Sequence, residues 1–277
     1  MKNEHYILIY DDKCPMCAAY TSLFIKTGIL PAEGRKSFTT VDAKLLQLTD
    51  AVRSNNEIPL IDTASGKVYY GIDALLQLLD TKLHGIKTIG RFAPIYWLLK
   101  KLYKFISFNR KVVVATKCGS GQYDCSPAFS YKWRFAFLLV FLVINTLALF
   151  PVQHLVLSNS IFSGSSIYYV QALHAGLVAS NVLLAFTLRW QKAFEYLGQV
   201  NMLATIVILF LLVLAGINKW FFINTFFNNI FLAGLLVLVV KEYLRRMRFA
   251  GTLQVKYITV SNLLCIAAFL TAMTLKF

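Results

Sequence analysis

The sequence predicts a chain of two parts, an α/β domain over residues 1–130 and an all-α bundle of about five transmembrane helices over residues 131–277. The first observation is the charge distribution, because residues 1–134 hold 19 of the 28 Lys and Arg and 11 of the 13 Asp and Glu. The second is the mean hydropathy of +0.60, which is too apolar for an ordinary soluble protein. The third is a strand, turn and helix pattern at the start of the chain.

A short apolar strand opens the α/β domain. Residues 6–10 are aromatic or branched aliphatic, a composition typical of a buried strand. Asp11 and Asp12 end this strand, and Pro15 suits the first position of a helix, where its missing N–H costs nothing. Apolar residues continue at helical spacing as far as Gly28, which ends the predicted helix.

Two cysteines lie on the first turn of that predicted helix. The thiolate is the attacking form in disulfide exchange, and the free N–H groups of a helix N-terminus favour the anion on Cys14, to which Lys13 adds positive charge. Cys17, one turn later, lies on the same side of the helix and can resolve a mixed disulfide formed by Cys14. Zinc sites use the same cysteine spacing, so a structural metal site is the alternative.

The residues around the dithiol also resemble a known family. The string Asp11-x-x-Cys14-Pro15-x-Cys17 behind an apolar strand resembles the signature of the DCC family of thiol-disulfide oxidoreductases. The chain departs from the family pattern at Asp12, where the family usually has Gly. This departure concerns the turn before Cys14 and leaves the dithiol itself unchanged.

Two later segments extend the resemblance over about residues 5–127. Residues 68–75 (VYYGIDAL) are similar to a conserved segment of the family, and residues 103–110 (YKFISFNR) are similar to its late helix, which ends in Asn-Arg and is followed here by Cys118. The resemblance implies a reduced thioredoxin-like fold and disulfide exchange. It does not name a substrate.

The rest of the α/β domain is predicted to contain one further strand, a hairpin of two strands and short helices. The pattern predicts a strand parallel to the first at 36–41, a helix at 43–48 capped by Asp42, a hairpin of strands 57–62 and 67–70, and a helix around 74–79. Pro59 starts the third strand. It either matches the cis-proline that faces the dithiol in thioredoxin-like folds or is an ordinary trans proline at a strand start.

A glycine-rich loop carries a second pair of cysteines, Cys118 and Cys125. Three interpretations stay open for this pair. It can form a second redox pair that exchanges electrons with the first, it can complete a four-cysteine zinc site, or it can consist of unlinked thiols. Before it, residues 94–108 form an amphipathic helix pattern, which can pack on its own domain or lie at the membrane interface.

The second half contains the predicted spans, at 135–156, 167–188, 197–217, 223–240 and 257–275. Polar side chains within them can line a cavity or form hydrogen bonds between helices. The basic residues that decide the orientation lie before the first span, after the second and between the last two. They are Lys132, Arg134, Arg189, Lys192, Lys241, Arg245, Arg246, Arg248 and Lys256. By the positive-inside rule the N-terminal domain is cytoplasmic and the C-terminus outside, in an integral membrane protein of the bacterial inner-membrane type.

We therefore expect a membrane-anchored thiol-disulfide oxidoreductase with a cytoplasmic dithiol. Cys14 attacks, Cys17 resolves, and Asp11 is either a proton acceptor or the residue that forms the turn. The expected partners are a protein or small-molecule disulfide or thiol and the lipid bilayer. No cofactor or metal is needed, and no nucleic acid is expected, because the basic residues of this +15 chain collect beside the spans. The alternative is a membrane bundle for transport or small-molecule binding, with the first domain as a redox sensor or docking module.

Overall fold

The structure is a computed structural model that describes residues 4–116, 127–221 and 223–274. The chain divides into two compact units, Met1–Trp133 and Arg134–Phe277. The first unit is a small mixed sheet with helices, and the second is a bundle of apolar helices. Both fold classes agree with the sequence-based prediction.

The elements of the first unit alternate between short strands and helices. In chain order, the described residues form β1 Tyr6–Tyr10, α1 Pro15–Lys26, a 3-10 turn at Ala32–Gly34, β2 Arg35–Ser37, α2 Ala43–Gln47, α3 Ala51–Asn56, β3 Pro59–Asp62, β4 Val68–Tyr70, α4 Ile72–Leu79, α5 Ile86–Gly90 and α6 Ala93–Val114.

The sheet has the strand order β2-β1-β3-β4 in the described part of the chain. Strands β1 and β2 are parallel, with Leu8 beside Arg35, and α1 forms the crossover between them. Strand β3 is antiparallel to both β1 and β4, with Leu60 beside Leu8 and Pro59 beside Tyr70. The predicted parallel pair and the predicted hairpin are thus both present.

The two faces of the sheet pack against separate groups of apolar side chains. Successive residues of a strand point to opposite faces, so Leu8 and Leu60 belong to one cluster and Ile9 and Ile61 to the other. All four side chains are fully buried. The end of β1, from which the chain enters the dithiol segment, is therefore held from both sides.

Some local boundaries differ from the prediction. The second strand ends at Ser37 instead of residue 41, because the Ser37 carbonyl and hydroxyl oxygens both accept a hydrogen bond from the N–H of Thr40 and turn the chain. Helix α3 was not predicted; Asp50 caps it by accepting a hydrogen bond from the N–H of Arg53 at 3.0 Å. Short capped helices of this kind lack the apolar periodicity that sequence patterns require.

The second unit consists of long apolar helices. Five helical segments among the described residues are long and apolar enough to cross a membrane, at Tyr131–Asn159, Ile167–Phe186, Trp190–Phe221, Thr225–Phe249 and Lys256–Thr274. The helices within them are α7 Tyr131–Leu155, α8 Ile167–Phe186, α9 Trp190–Phe221, α10 Thr225–Phe249 and α11 Lys256–Thr274. They agree with the five predicted spans.

Polar side chains inside these helices bond to one another. The hydroxyl of Tyr196 donates to the side-chain oxygen of Asn181 at 2.6 Å and accepts from the amide of Asn262 at 2.6 Å. The amide of Asn145 donates to the side-chain oxygen of Asn201 at 3.1 Å. Such bonds join neighbouring helices, which is one of the two roles that the sequence allowed for these residues.

Candidate functional site

The dithiol begins helix α1, as the sequence predicts. Cys14 is the N-cap residue of this helix, and Pro15 occupies its first turn. The sulfur of Cys14 accepts a hydrogen bond from the peptide N–H of Cys17 at 3.3 Å, so one unpaired donor of the helix N-terminus points at the sulfur. Both cysteines are free thiols and only 5% exposed. This arrangement places a partial positive charge beside the sulfur of Cys14.

The two thiols differ in acidity because of this geometry. A hydrogen bond from the side chain of Cys17, together with its peptide N–H and the charge of Arg110, lowers the pKa of Cys14 from 9.0 to about 7 against the opposing effect of burial. The hydrogen bond to Cys14 and burial both raise the pKa of Cys17. At neutral pH a large share of Cys14 is therefore thiolate, whereas Cys17 keeps its proton.

A buried ion pair lies beside the dithiol. The guanidinium of Arg110 is 3.6 Å from the carboxylate of Asp11, and their side chains are 11% and 3% exposed. Arg110 also donates a hydrogen bond to the carbonyl of Asn55 at 3.1 Å. The two charges act oppositely on the cysteines, since Arg110 lowers and Asp11 raises the pKa of Cys14. The acidity of the dithiol thus depends on the balance within this pair.

Asp11 also shapes the turn between strand and helix. Its carboxylate accepts a hydrogen bond from the N–H of Lys13 at 3.0 Å, and its carbonyl accepts one from the N–H of Cys14 at 3.2 Å. These two bonds hold the chain where it reverses from β1 into α1. Lys13 itself is half exposed and lies 3.9 Å from the carboxylate of Asp12.

Helix α6 brings Arg110 to the dithiol from the far end of the domain. The hydroxyl of Tyr103 accepts a hydrogen bond from the N–H of Ile58 at 2.9 Å, and the hydroxyl of Ser107 donates to the carbonyl of Asn56. One turn later Arg110 reaches Asp11. The helix is therefore attached to the segment that joins α3 to β3, and this attachment fixes the position of its charged residue.

Two partly buried tyrosines, Tyr20 and Tyr103, lie near the site. Burial is the main reason that the pKa of Tyr20 lies well above its usual value, and burial likewise raises the pKa of Tyr103 to about 12. Both phenols stay neutral over the range in which Cys14 titrates. Their rings therefore pack near the dithiol without adding a charge that would change the acidity of Cys14.

The sequence left open whether Pro59 is a cis-proline that faces the dithiol or an ordinary trans proline. The antiparallel pairing of Leu60 with Leu8 directs the start of β3 toward the C-terminal end of β1, from which the chain continues to Asp11. The Ile58–Pro59 peptide bond is trans, as are all other peptide bonds in the described ranges. The trans alternative therefore holds, and Pro59 is an ordinary trans proline at the start of β3.

The second pair of cysteines, Cys118 and Cys125, lies outside the described residues. Its three interpretations, a second redox pair, zinc ligands or unlinked thiols, remain predictions. Within residues 4–116, 127–221 and 223–274, no three His, Cys, Asp or Glu side chains are grouped so that they could hold a metal ion.

Sequence reasoning missed the role of Arg110. In the sequence, Arg110 is only the last residue of a segment similar to the family's late helix. A buried Arg far along the chain gives no local pattern that points to the first turn of α1, and the signal available was the Asn109-Arg110 pair near the end of an amphipathic helix. Asn109, its neighbour, is fully buried and donates to the carbonyls of Phe105 and Trp133.

Comparison with known proteins agrees with this geometry. Residues 8–115 match the family model described as DCC1-like thiol-disulfide oxidoreductase. Searches of curated proteins and of solved structures found no significant match. The matched range runs from β1 through α6, and so includes the dithiol, Asp11 and Arg110. Residues 8–115 are a DCC1-like thiol-disulfide oxidoreductase domain, carried ahead of the apolar helices that can span a membrane.

Proposed function

We propose that the protein is a membrane-anchored thiol-disulfide oxidoreductase in which Cys14 is the nucleophile and Cys17 the resolving thiol. The observation that carries this proposal is the asymmetry of the dithiol. Cys14 receives the N–H of Cys17 on its sulfur and has a pKa of about 7, while the pKa of Cys17 is raised. An exchange enzyme needs one thiolate to start the reaction and one thiol held in reserve.

In the first step the Cys14 thiolate attacks one sulfur of a substrate disulfide. A sulfur–sulfur bond forms between Cys14 and the substrate, the substrate disulfide breaks, and its other sulfur leaves as a thiolate that takes up a proton. The free N–H groups at the start of α1 stabilise the attacking anion, as does the charge of Arg110.

In the second step Cys17 attacks Cys14. Once the Cys14 sulfur is in a neutral mixed disulfide, the bond that kept the Cys17 proton in place is lost. We assign Asp11 as the acceptor of this proton, because its buried carboxylate lies beside both cysteines and acts on the pKa of each. The Cys14–Cys17 bond forms as the bond between Cys14 and the substrate breaks, and the substrate sulfur leaves as a thiolate that takes up the proton from Asp11. The products are a reduced substrate and an intramolecular Cys14–Cys17 disulfide. Two thiols of the compartment must reduce this disulfide before the next cycle and are themselves oxidised to a disulfide.

We place the dithiol on the cytoplasmic side. The support is the distribution of basic residues at the ends of the spans, which follows the positive-inside pattern with the N-terminal domain inside. A reducing compartment suits a dithiol that must return to its reduced form after each turnover.

Trapping of the mixed disulfide tests the assignment of roles. The full chain is used with Cys118, Cys125 and Cys265 replaced by Ser, so that only the first pair reacts. We expect Cys17→Ser to accumulate a mixed disulfide with an added model disulfide, because the resolving thiol is missing, and Cys14→Ser to accumulate almost none. Equal trapping by both variants, or trapping only through Cys17, would contradict the proposal.

The alternative function makes the helical bundle the active part and the first domain a sensor or docking module. Replacement of both Cys14 and Cys17 by Ser distinguishes the oxidoreductase from the docking module. The oxidoreductase loses its exchange activity completely, whereas a docking module keeps its function in the cell.

A further inference from the structure

One face of helix α6 carries an apolar stripe that the domain leaves exposed. Ile95, Leu98, Leu102 and Ile106 follow each other at helical spacing and lie on one side of the helix. They are 38%, 59%, 51% and 43% exposed. Phe92, directly before the helix, extends the stripe and is 63% exposed. A continuous apolar surface of this kind on a folded domain marks an interaction site.

An adjacent face of α6, about a quarter turn around the helix, is the one that the domain uses. Tyr103 bonds to Ile58, Ser107 to Asn56 and Arg110 to Asp11. These contacts attach the helix firmly to the sheet and to the dithiol segment. Helix α6 thus packs on its own domain through this face, which was one of the two alternatives that the sequence left open. The apolar stripe remains exposed in addition to this packing.

Basic and aromatic side chains lie on the side of α6 that points away from the stripe. Lys100, Lys101 and Lys104 are exposed, and Trp97 is 62% exposed with the ammonium of Lys101 5.6 Å from the centre of its ring. Helix α6 contains no Asp or Glu. An apolar face on one side of a helix and a lysine-rich face on the other are the composition of helices that lie in the interface of an anionic bilayer, with the lysines and the tryptophan ring at headgroup level.

We propose that this face of α6 docks onto the anionic lipid surface of the membrane that the chain itself spans. Helix α6 ends at Val114 and the first candidate span begins at Tyr131. The intervening residues reach at most about 55 Å when fully extended, which sets an upper limit on the distance between the end of α6 and that span. A second copy of the same face would bring lysines against lysines, whereas anionic headgroups match their charge. The inference does not depend on the chemistry of the dithiol.

The test measures how deeply the stripe enters the lipid in the full chain. All native cysteines are replaced by Ser, a nitroxide is attached at Leu98→Cys, and the protein is placed in nanodiscs that contain anionic lipid. Collision with oxygen, which concentrates in lipid, is compared with collision with a water-soluble nickel chelate. The control carries the label at Val52→Cys on helix α3, a site that is 77% exposed.

The proposal predicts that the label at position 98 collides more often with oxygen than with the nickel chelate, and that the label at position 52 shows the reverse order. Replacement of Lys100, Lys101 and Lys104 by Gln should shift the label at position 98 toward the aqueous result. Free access of the nickel chelate to position 98 overturns the proposal. Protection of that position from both reagents also overturns it, because a protein surface then covers the stripe.

A second measurement keeps all native cysteines. Brominated lipids quench tryptophan only at short range, and the signal of Trp97 is obtained as the difference between wild type and Trp97→Phe. Quenching of this difference signal by bromine near the headgroups is the expected result. A Trp97 signal that brominated lipid leaves unchanged overturns the proposal even if the cysteine-free chain fails to fold.

Discussion

The guanidinium of Arg110 lies 3.6 Å from the carboxylate of Asp11, and this buried pair borders the dithiol at the start of helix α1. Its two members change the acidity of Cys14 in opposite directions. Removal of the two charges should therefore shift the pKa of Cys14 in opposite directions, so substitutions of Arg110 and Asp11 test directly what sets the acidity of the nucleophile.

The pH dependence of the first step follows from the pKa of Cys14. The thiolate is the reactive form, so the rate of alkylation should rise with pH through about 7 and level off above it. The measurement is iodoacetamide labelling of the full chain that retains only Cys14 and Cys17, followed by mass spectrometry. A midpoint near 9, the usual value of the thiol, would show that the helix N-terminus and Arg110 do not act as described.

Loss of the cation should weaken the nucleophile. In Arg110→Met, the pKa of Cys14 should rise by about one unit, which lowers the thiolate fraction at pH 7 roughly fivefold. The labelling profile measures this shift. Arg110→Lys is the matched control, because it keeps the charge. An unchanged midpoint in Arg110→Met contradicts the electrostatic role of this residue.

Loss of the carboxylate should separate the two steps. Asp11→Asn keeps an oxygen that can accept from the N–H of Lys13, so the turn is retained. The pKa of Cys14 should fall, because a negative charge beside the thiolate is gone. Resolution by Cys17 should slow by at least about tenfold if Asp11 accepts its proton. Rapid-quench analysis of the mixed disulfide reports the second rate; normal resolution would leave Asp11 only its turn-forming role.

The hydrogen bond between Tyr103 and Ile58 should contribute to local stability. Tyr103→Phe leaves the buried N–H of Ile58 without its acceptor, which costs about 1–2 kcal/mol. Alkylation of the buried Cys17 in a Cys14→Ser background should then speed up by about 5- to 30-fold, because the site opens more often. Tyr69→Phe is the control, since no hydrogen bond of its hydroxyl is found within the described residues; an equal effect of both changes would contradict the prediction.

Local parts of the fold were predictable from the sequence, and distant contacts were not. Pro15 and Gly28 mark the two ends of α1, so the place of Cys14 on the first helical turn follows from neighbouring residues. The approach of Arg110 to Asp11 depends on how α6 packs across the whole domain, and no local pattern encodes it. The trans bond before Pro59 likewise depends on tertiary context, since both isomers are open to an X–Pro bond.

The central claim is that Cys14 and Cys17 form a reversible redox couple, and redox titration tests it most directly. The full chain with Cys118, Cys125 and Cys265 replaced by Ser is equilibrated in glutathione buffers of stepped potential, and its free thiols are counted after acid quenching. We predict a single reversible two-electron transition from two thiols to one intramolecular disulfide. Two thiols that stay free at every potential, or that pair only with glutathione, would contradict the account.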